Sequence, residues 1–320
     1  MTHPNEVVEG VFLCDTLDLS ALFAPAFANL PGLKMYRPDE VPDPARIRLA
    51  VAYRPAPAAF ADFPRLELVQ SIAAGVDAIV ANPSLAAGVP VARVRDPEQA
   101  AIMAGFAAWH IVWHHRNMGH YLRAAARGEW DRISFGGLKA PSDTRVGVLG
   151  YGVMGRAVAD AAAALGFATC AASRSAHPAP PGVTLVSGPD APQRLAAESD
   201  ILINLLPLTS ETRGLINAAF LAAMPQSAAL IQLGRGEQLD QQALIAALDR
   251  GHLSGASLDV FQTEPLPPSD PLWRHPKVVV TPHEASVLPA TAVAAALDAS
   301  LSDLRAGRPP RHAIDRSKGY

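Results

Sequence analysis

Cysteine is almost missing from this chain: there are two in 320 residues, Cys14 and Cys170. Two cysteines make neither a disulfide framework nor a thiolate metal cluster. Each lies in an apolar, strand-like run and reads as a small buried hydrophobe. Neither charge dominates, with 27 Lys and Arg against 30 Asp and Glu and a formal net charge of −3. That removes the electrostatic case for nucleic acid or an anionic membrane surface. Long apolar runs are missing too, since none nears the ~20 residues of a membrane span. The opening "MTHPNEVVEGVFLCD" has neither the basic start nor the apolar stretch of a signal peptide. These absences predict a reduced, cytoplasmic protein. What is present is 49% hydrophobic residues, enough for a large core. The length implies about two domains.

The chain alternates strand-like and helix-like segments. "GVFLC", "IRLAVAY" and "LELVQSI" are β-type runs, and "DLSALFAPAFANL" and "VDAIVANPSL" read as helices. From Pro97 to about Ala126 the apolar spacing predicts one long helix or two in line. A second strand series follows: "RVGVLG", "FATCAA", "DILINLL", "AALIQLG", "GASLDV" and "KVVVTP", the last with the look of a buried strand. Helical segments separate most of its members, and "PATAVAAALDASLSDLRAG" predicts a final helix. This order implies an α/β protein of doubly wound parallel sheets.

In "VGVLGYGVMGRAVADAAAALG", Gly150, Gly152 and Gly155 form G-x-G-x-x-G between a strand and a helix, the context that marks a dinucleotide site. Gly150 suits a tight turn, Gly152 the approach of a pyrophosphate, and Gly155 close helix–strand packing. With Tyr151, Val153 and Met154 they make the expected phosphate loop at a helix N-terminus. About 20 residues on, an NAD site places a carboxylate for the ribose. Here Ser173, Arg174 and Ser175 stand instead, and no Asp or Glu occurs from 161 to 189. A guanidinium and hydroxyls suit a 2′-phosphate, so NADP(H) is expected over NAD(H).

The later strands are each followed by a candidate group: Arg235, then Asp259 and Glu264, then His283. Ligands of open parallel sheets bind beyond the carboxyl ends of the strands, where all of these lie. Their chemistry suits reduction of a 2-keto acid. Arg235 can grip a carboxylate at two points, and His283 can carry the proton. Glu264 can bond the other imidazole nitrogen and favour the protonated ring. Glu284 is a rival partner for His283, but adjacent side chains diverge. Asp259 could bond a nicotinamide carboxamide.

At these residues the sequence resembles the D-isomer-specific 2-hydroxyacid dehydrogenases, over nearly its whole length. "LGRGEQLD", "LDVFQTEPL" and "TPHEAS" match the family's signature segments and carry its catalytic arginine, glutamate and histidine onto Arg235, Glu264 and His283. "QSIAAGVDAI" resembles its substrate loop, which implies that N–H groups near Ala74 and Gly75 receive the substrate carboxylate. "NLLPLTSETRGLIN" resembles a cofactor-contacting segment and implies that Leu206 and Pro207 lie beside the nicotinamide half, with Leu233 a further cofactor contact. The resemblance is nearest to glyoxylate- and hydroxypyruvate-reducing members. It implies NADPH-dependent reduction of such a 2-keto acid to the D-2-hydroxy acid, and a homodimer. It also implies a Rossmann cofactor domain over 99–287 and a smaller flavodoxin-like substrate domain from 1–98 plus 288–320. The alternatives are a dinucleotide-sensing, corepressor-like binding protein of the same fold and a dehydrogenase for a larger 2-keto acid. Two departures bear on substrate: Glu284 replaces an aliphatic residue, and Tyr53, beside Arg54, replaces a tryptophan. Tyr53 and Arg54 are the expected side-chain contacts to the substrate.

Other features invite over-reading. His110 and His114 in "HIVWHH" have the i, i+4 spacing of metal ligands, but Ile111 lies between them and no third ligand is evident. They are expected to be a helix-surface or interface pair, with no metal. Trp109, Trp113 and Trp130 are expected to pack in the core or an interface.

Overall fold

The computed structural model describes residues 7–133, 137–176 and 178–316. In chain order its main elements are β1 (Val8–Leu13), α1 (Leu19–Phe27), β2 (Leu33–Tyr36), β3 (Ile47–Ala52), β4 (Leu68–Ser71), α2 (Asp77–Val80), β5 (Val91–Ala92), α3 (Pro97–His115) and α4 (Met118–Ala126). There follow β6 (Arg145–Leu149), α5 (Val153–Ala164), β7 (Ala168–Ser173), β8 (Val183–Ser187), α6 (Ala191–Glu198), β9 (Ile201–Asn204), α7 (Ala218–Ala223) and β10 (Ala229–Gln232). The last are α8 (Gln241–Asp249), β11 (Gly255–Leu258), β12 (Val278–Val280) and α9 (Ala290–Arg305). By internal packing the chain divides into two units. The first runs through Asp96 and resumes at Val287; the second is Pro97–Ser286.

The first unit holds a parallel sheet in the order β2-β1-β3-β4-β5, the flavodoxin-like arrangement. Strands β1, β3, β4 and β5 are almost wholly buried, as parallel strands covered by helices must be, while the edge strand β2 is partly exposed. On one face Phe12, Leu49 and Val51 pack with Leu19 and Phe23 of α1 and with Val293, Leu297 and Leu301 of α9. Helix α1 begins where Asp18 accepts the Ala21 N–H at 3.0 Å. The expected second helix is only a single turn, α2. Strands β2 and β5, four and two residues long, had no counterpart in the sequence reading.

The second unit has a parallel sheet in the order β12-β11-β10-β9-β6-β7-β8. Numbered from β6, this is the Rossmann order 3-2-1-4-5-6 with one more strand at the far edge. Alternation along the strands sorts their side chains to two helical layers. Val146, Val148, Ile201, Ile203 and Ile231 meet α3 and α5 through Met103, Ile111 and Val158. Leu149, Leu202, Leu230 and Leu258 meet Leu195, Leu221 and Leu244. The stretch from Pro97 is two helices, broken at Asn117, whose φ is +50°. The "VVV" strand is half-buried rather than fully buried, because β12 is an edge strand paired only with β11.

Candidate active site

Gly150 follows β6, which lies between β9 and β7 where the strand order reverses. Its φ of +94° suits glycine, and a Cβ there would sit 3.1 Å from the Leu205 carbonyl oxygen. At Gly155 a Cβ would overlap the Gly150 carbonyl oxygen, so α5 rests directly on the loop. At Gly152 a Cβ would meet nothing within 4 Å. The loop is therefore tight where it packs and open at the N-terminus of α5, where first-turn N–H groups suit a pyrophosphate. Tyr151 and Leu233, expected at the cofactor, bury their side chains in the core. Burial also pushes the Tyr151 phenol up from its usual pKa.

At the end of β7, Ser173 is buried and its hydroxyl donates to the Ser175 carbonyl at 2.8 Å. It shapes the turn, and the exposed pair Arg174 and Ser175 is what the turn presents.

The His283 loop is heavily fixed. Glu264 Oε2 lies 2.9 Å from His283 Nδ1, and its Oε1 accepts the Phe261 N–H at 2.9 Å. Glu264 is thus the histidine's partner, while the side chain of Glu284 is exposed. His283 has φ +60°, uncommon for a residue with a Cβ. The surroundings hold it there: its N–H donates to the carbonyl of Asp259 at 2.8 Å. The Asp259 carboxylate, 1% exposed, accepts from Thr281 Oγ1 at 2.7 Å and from the N–H groups of Glu284 and Ala285 at 2.9 and 3.0 Å. Asp259, expected at the carboxamide, is in this structure the clamp of the His283 loop. Its partners are two backbone amides and a threonine hydroxyl, and only the threonine leaves a trace in the sequence.

Arg235 follows β10 between two glycines. Its Nη1 donates to the Gly234 carbonyl at 2.8 Å. A Cβ at Gly236 would overlap the Phe261 carbonyl, so the segment carrying Arg235 packs on the backbone that leads to Glu264. Leu206 and Pro207 follow β9 and are half-buried. Arg235, Glu264, His283 and the glycine loop all follow strands of one parallel sheet, at its carboxyl edge.

The substrate contacts expected in the first unit follow β3 and β4. Tyr53 is half-buried against the core that contains Phe12 and Leu49, and Arg54 has φ +42°. Ala74 and Gly75 sit in a loop tied by Ser71, whose hydroxyl accepts the Ala73 N–H at 3.1 Å and donates to the Gly75 carbonyl at 3.2 Å. The sequence reading missed Ser71; a serine ending a strand three residues before Ala74 is the signal that could have found it.

In the second unit, His110 Nδ1 and His114 Nε2 both bond Ser257 Oγ, at 2.8 and 2.9 Å. The pair is not on the surface: His110 is 1% exposed and His114 half-buried. No group of three metal-ligating side chains occurs among the described residues. Cys14 and Cys170 are half-buried rather than buried. Among the described residues no helix is long and apolar enough to cross a membrane.

A family profile described as "D-isomer specific 2-hydroxyacid dehydrogenase, NAD binding domain" matches residues 108–285. Glyoxylate/hydroxypyruvate reductase A of Salmonella typhi is 36% identical over 265 residues, 80% of this chain and 82% of that protein. A D-isomer specific 2-hydroxyacid dehydrogenase of Xanthobacter autotrophicus Py2, solved with NADPH and MES, superposes with a TM-score of 0.89 at 36% identity, covering 98% of this chain and 100% of that one. The NADPH-dependent glyoxylate/hydroxypyruvate reductase of Sinorhizobium meliloti, solved with NADP and sulfate, gives the same TM-score at 30% identity, with coverage of 98% and 100%. With the sheet order, the glycine loop and the Glu264–His283 pair already in place, the chain belongs to the D-isomer specific 2-hydroxyacid dehydrogenase family.

Proposed function

We propose that this chain reduces a small 2-keto acid of the glyoxylate or hydroxypyruvate type to its D-2-hydroxy acid, with NADPH as reductant and His283 as proton donor. The observation that carries the reading is the 2.9 Å contact between Glu264 and His283 Nδ1. With Nδ1 directed at a carboxylate, Nε2 is the ring nitrogen available to protonate the carbonyl oxygen. Glu264 supports the imidazolium, and Asp259 holds its loop. Arg235 binds the substrate carboxylate as a planar fork, and the Ala74 and Gly75 amides serve the same group. Tyr53 and Arg54 contact the remainder of the substrate. The nicotinamide, when bound, supplies the hydride. Arg174 and Ser175 receive the 2′-phosphate, and Val153 and Met154 offer their amides to the pyrophosphate. The relatives' names and the cofactors bound in the two solved structures support the substrate class and NADPH. The protein works in the cytoplasm and as a homodimer, the dimer supported by the exposed apolar surface of Trp109, Val112, Leu122 and Trp130 on and after α3 and α4.

The test is a steady-state panel. Oxidation of NADPH and NADH is followed with glyoxylate, hydroxypyruvate, pyruvate and phenylpyruvate, for wild type and Arg174→Ala. Glyoxylate or hydroxypyruvate should lead with NADPH. The variant should show a KM for NADPH raised ~10-fold or more, the scale of a lost charge-assisted contact, with little change for NADH. Equal use of NADH by wild type would defeat the 2′-phosphate assignment.

A further inference from the structure

Three side-chain amides, Asn204, Gln232 and Gln238, are each 0% exposed and bonded to one another in the second unit. Gln238 Oε1 accepts from Asn204 Nδ2 and from the Arg235 N–H, both at 2.8 Å. Gln238 Nε2 donates to the carbonyls of Leu206 and Pro207, at 3.1 and 3.0 Å. That fills all four bonding positions of one amide. Asn204 Nδ2 also donates to Gln232 Oε1 at 2.7 Å, and its Oδ1 accepts the Leu206 N–H at 3.2 Å. Gln232 Nε2 closes the network on the Arg235 carbonyl at 2.9 Å. Every amide nitrogen in it faces an acceptor and every amide oxygen a donor, so the orientation of each amide is fixed by its neighbours.

Both backbone polar groups of Arg235 are therefore held by side chains. The same side chains hold the backbone of Leu206 and Pro207. A Cβ at Gly234 would lie 2.4 Å from Gln238 Oε1 and 2.9 Å from Asn204 Nδ2, so the network reaches the Arg235 segment only because residue 234 is glycine. Buried amide networks are rigid when fully satisfied and costly when broken. None of these three side chains has a place in the hydride or proton transfer itself.

We propose that Gln238, with Asn204 and Gln232, is a positioning device that fixes the distance between the arginine that grips the substrate and the strap that faces the nicotinamide. The proposal rests on the reading that Arg235 binds the carboxylate and that Leu206 and Pro207 face the nicotinamide. Hydride transfer needs donor and acceptor carbons at a near-attack separation, and a misplacement of about 1 Å can cost ~10²-fold in rate. One glutamine that bonds both backbones sets that separation from the protein side.

Gln238→Glu is the discriminating variant. It keeps the size and the acceptors for Asn204 and Arg235 but cannot donate to both carbonyls. Gln232→Met, which removes the side-chain donor to the Arg235 carbonyl and one acceptor of Asn204 but leaves Gln238 in place, serves if the first variant does not fold. Three quantities are read on folded, purified enzyme: kcat and KM for hydroxypyruvate, NADPH affinity by nucleotide fluorescence, and the primary isotope effect with NADPH deuterated at the transferring position. We expect kcat to fall ~10–10²-fold. The isotope effect on kcat should rise as hydride transfer becomes limiting, and NADPH affinity should change less than ~3-fold because the phosphates are held elsewhere. A variant with a lower melting temperature but wild-type kcat, KM and isotope effect would overturn the proposal and leave the amides a purely structural role. Failure of the wild type to reduce any 2-keto acid would instead sink the proposed function.

Discussion

The proton in the proposed reaction leaves from one identifiable nitrogen. His283 Nδ1 is committed to Glu264, and the main chain on both sides of the ring is held by Asp259. Replacing the ring should thus remove the proton donor without loosening the loop. His283→Ala should lower kcat for keto-acid reduction ~10²–10⁴-fold, the range for general acid–base catalysis, and leave NADPH fluorescence titrations nearly unchanged. Reduction consumes a proton and oxidation releases one. In wild type, reduction should therefore slow and oxidation quicken as the pH is raised. The residual rate of the alanine variant should lack that dependence. Wild-type kcat in the variant would return His283 to an ordinary loop residue. Arg235, Glu264 and His283 could be picked out from sequence because each is a chemically distinctive type just past an apolar strand. Asp259 was seen as a cofactor contact, but its hold on the His283 loop was not, since backbone amides leave no mark in a sequence. Gln238 was invisible for the same reason: its side chain bonds the Arg235 amide and the Leu206 and Pro207 carbonyls of the main chain, with Asn204 as its side-chain partner.

Among the elements, most strands of the second unit were legible because short apolar runs such as Ile201–Ile203 and Val278–Val280, set between helical segments, have few other uses. β8 was not, since "VTLVS" is half polar and sits beyond a proline pair. The break between α3 and α4 was not, because Asn117 adopts the left-handed conformation without a glycine or proline to announce it. The i, i+4 histidines of α3 were noticed, yet their partner Ser257 lies on β11, more than a hundred residues away. Their burial has a consequence for stability. Burial lowers His110 to about 4, and burial with the neighbouring His110 lowers His114 to about 3. Both are neutral in the fold at every ordinary pH. Below about 6.5 the unfolded chain takes up protons that the folded chain refuses. Stability should therefore be full above that pH and fall as pH drops toward 4. His110 contributes on the order of 2–3 kcal/mol to that loss. Urea denaturation of wild type and His110→Leu from pH 7 to 4 checks the sign. The leucine variant should show the shallower decline, and an equal slope would mean the imidazole is not the source.

For the whole molecule, both sheet orders and the point where the chain leaves and re-enters its first unit were implied by the family resemblance rather than by periodicity. Assembly is the property that residue-by-residue reading reaches least well. Trp109 and Trp113 stack with ring centroids 4.9 Å apart, and Trp130 is 87% exposed. A proposed homodimer gives these rings a partner. Light scattering should return twice the chain mass for wild type, and Trp109→Glu with Leu122→Glu should shift it toward one. A monomeric wild type at micromolar concentration would remove the homodimer from the proposal.

The position of α9 has a consequence for biosynthesis. Val293, Leu297 and Leu301 complete the core of the first unit, alongside Val8, Phe12 and Leu19 from the start of the chain. Translation delivers that helix only after all of Pro97–Ser286 has been made. A growing polypeptide therefore carries an N-terminal sheet with an uncovered apolar face while the nucleotide-binding half, whose residues are contiguous, can already close on itself. The order of folding is inverted relative to the order of synthesis, and the interval before Ala290 emerges from the ribosome is when the nascent chain most needs a chaperone.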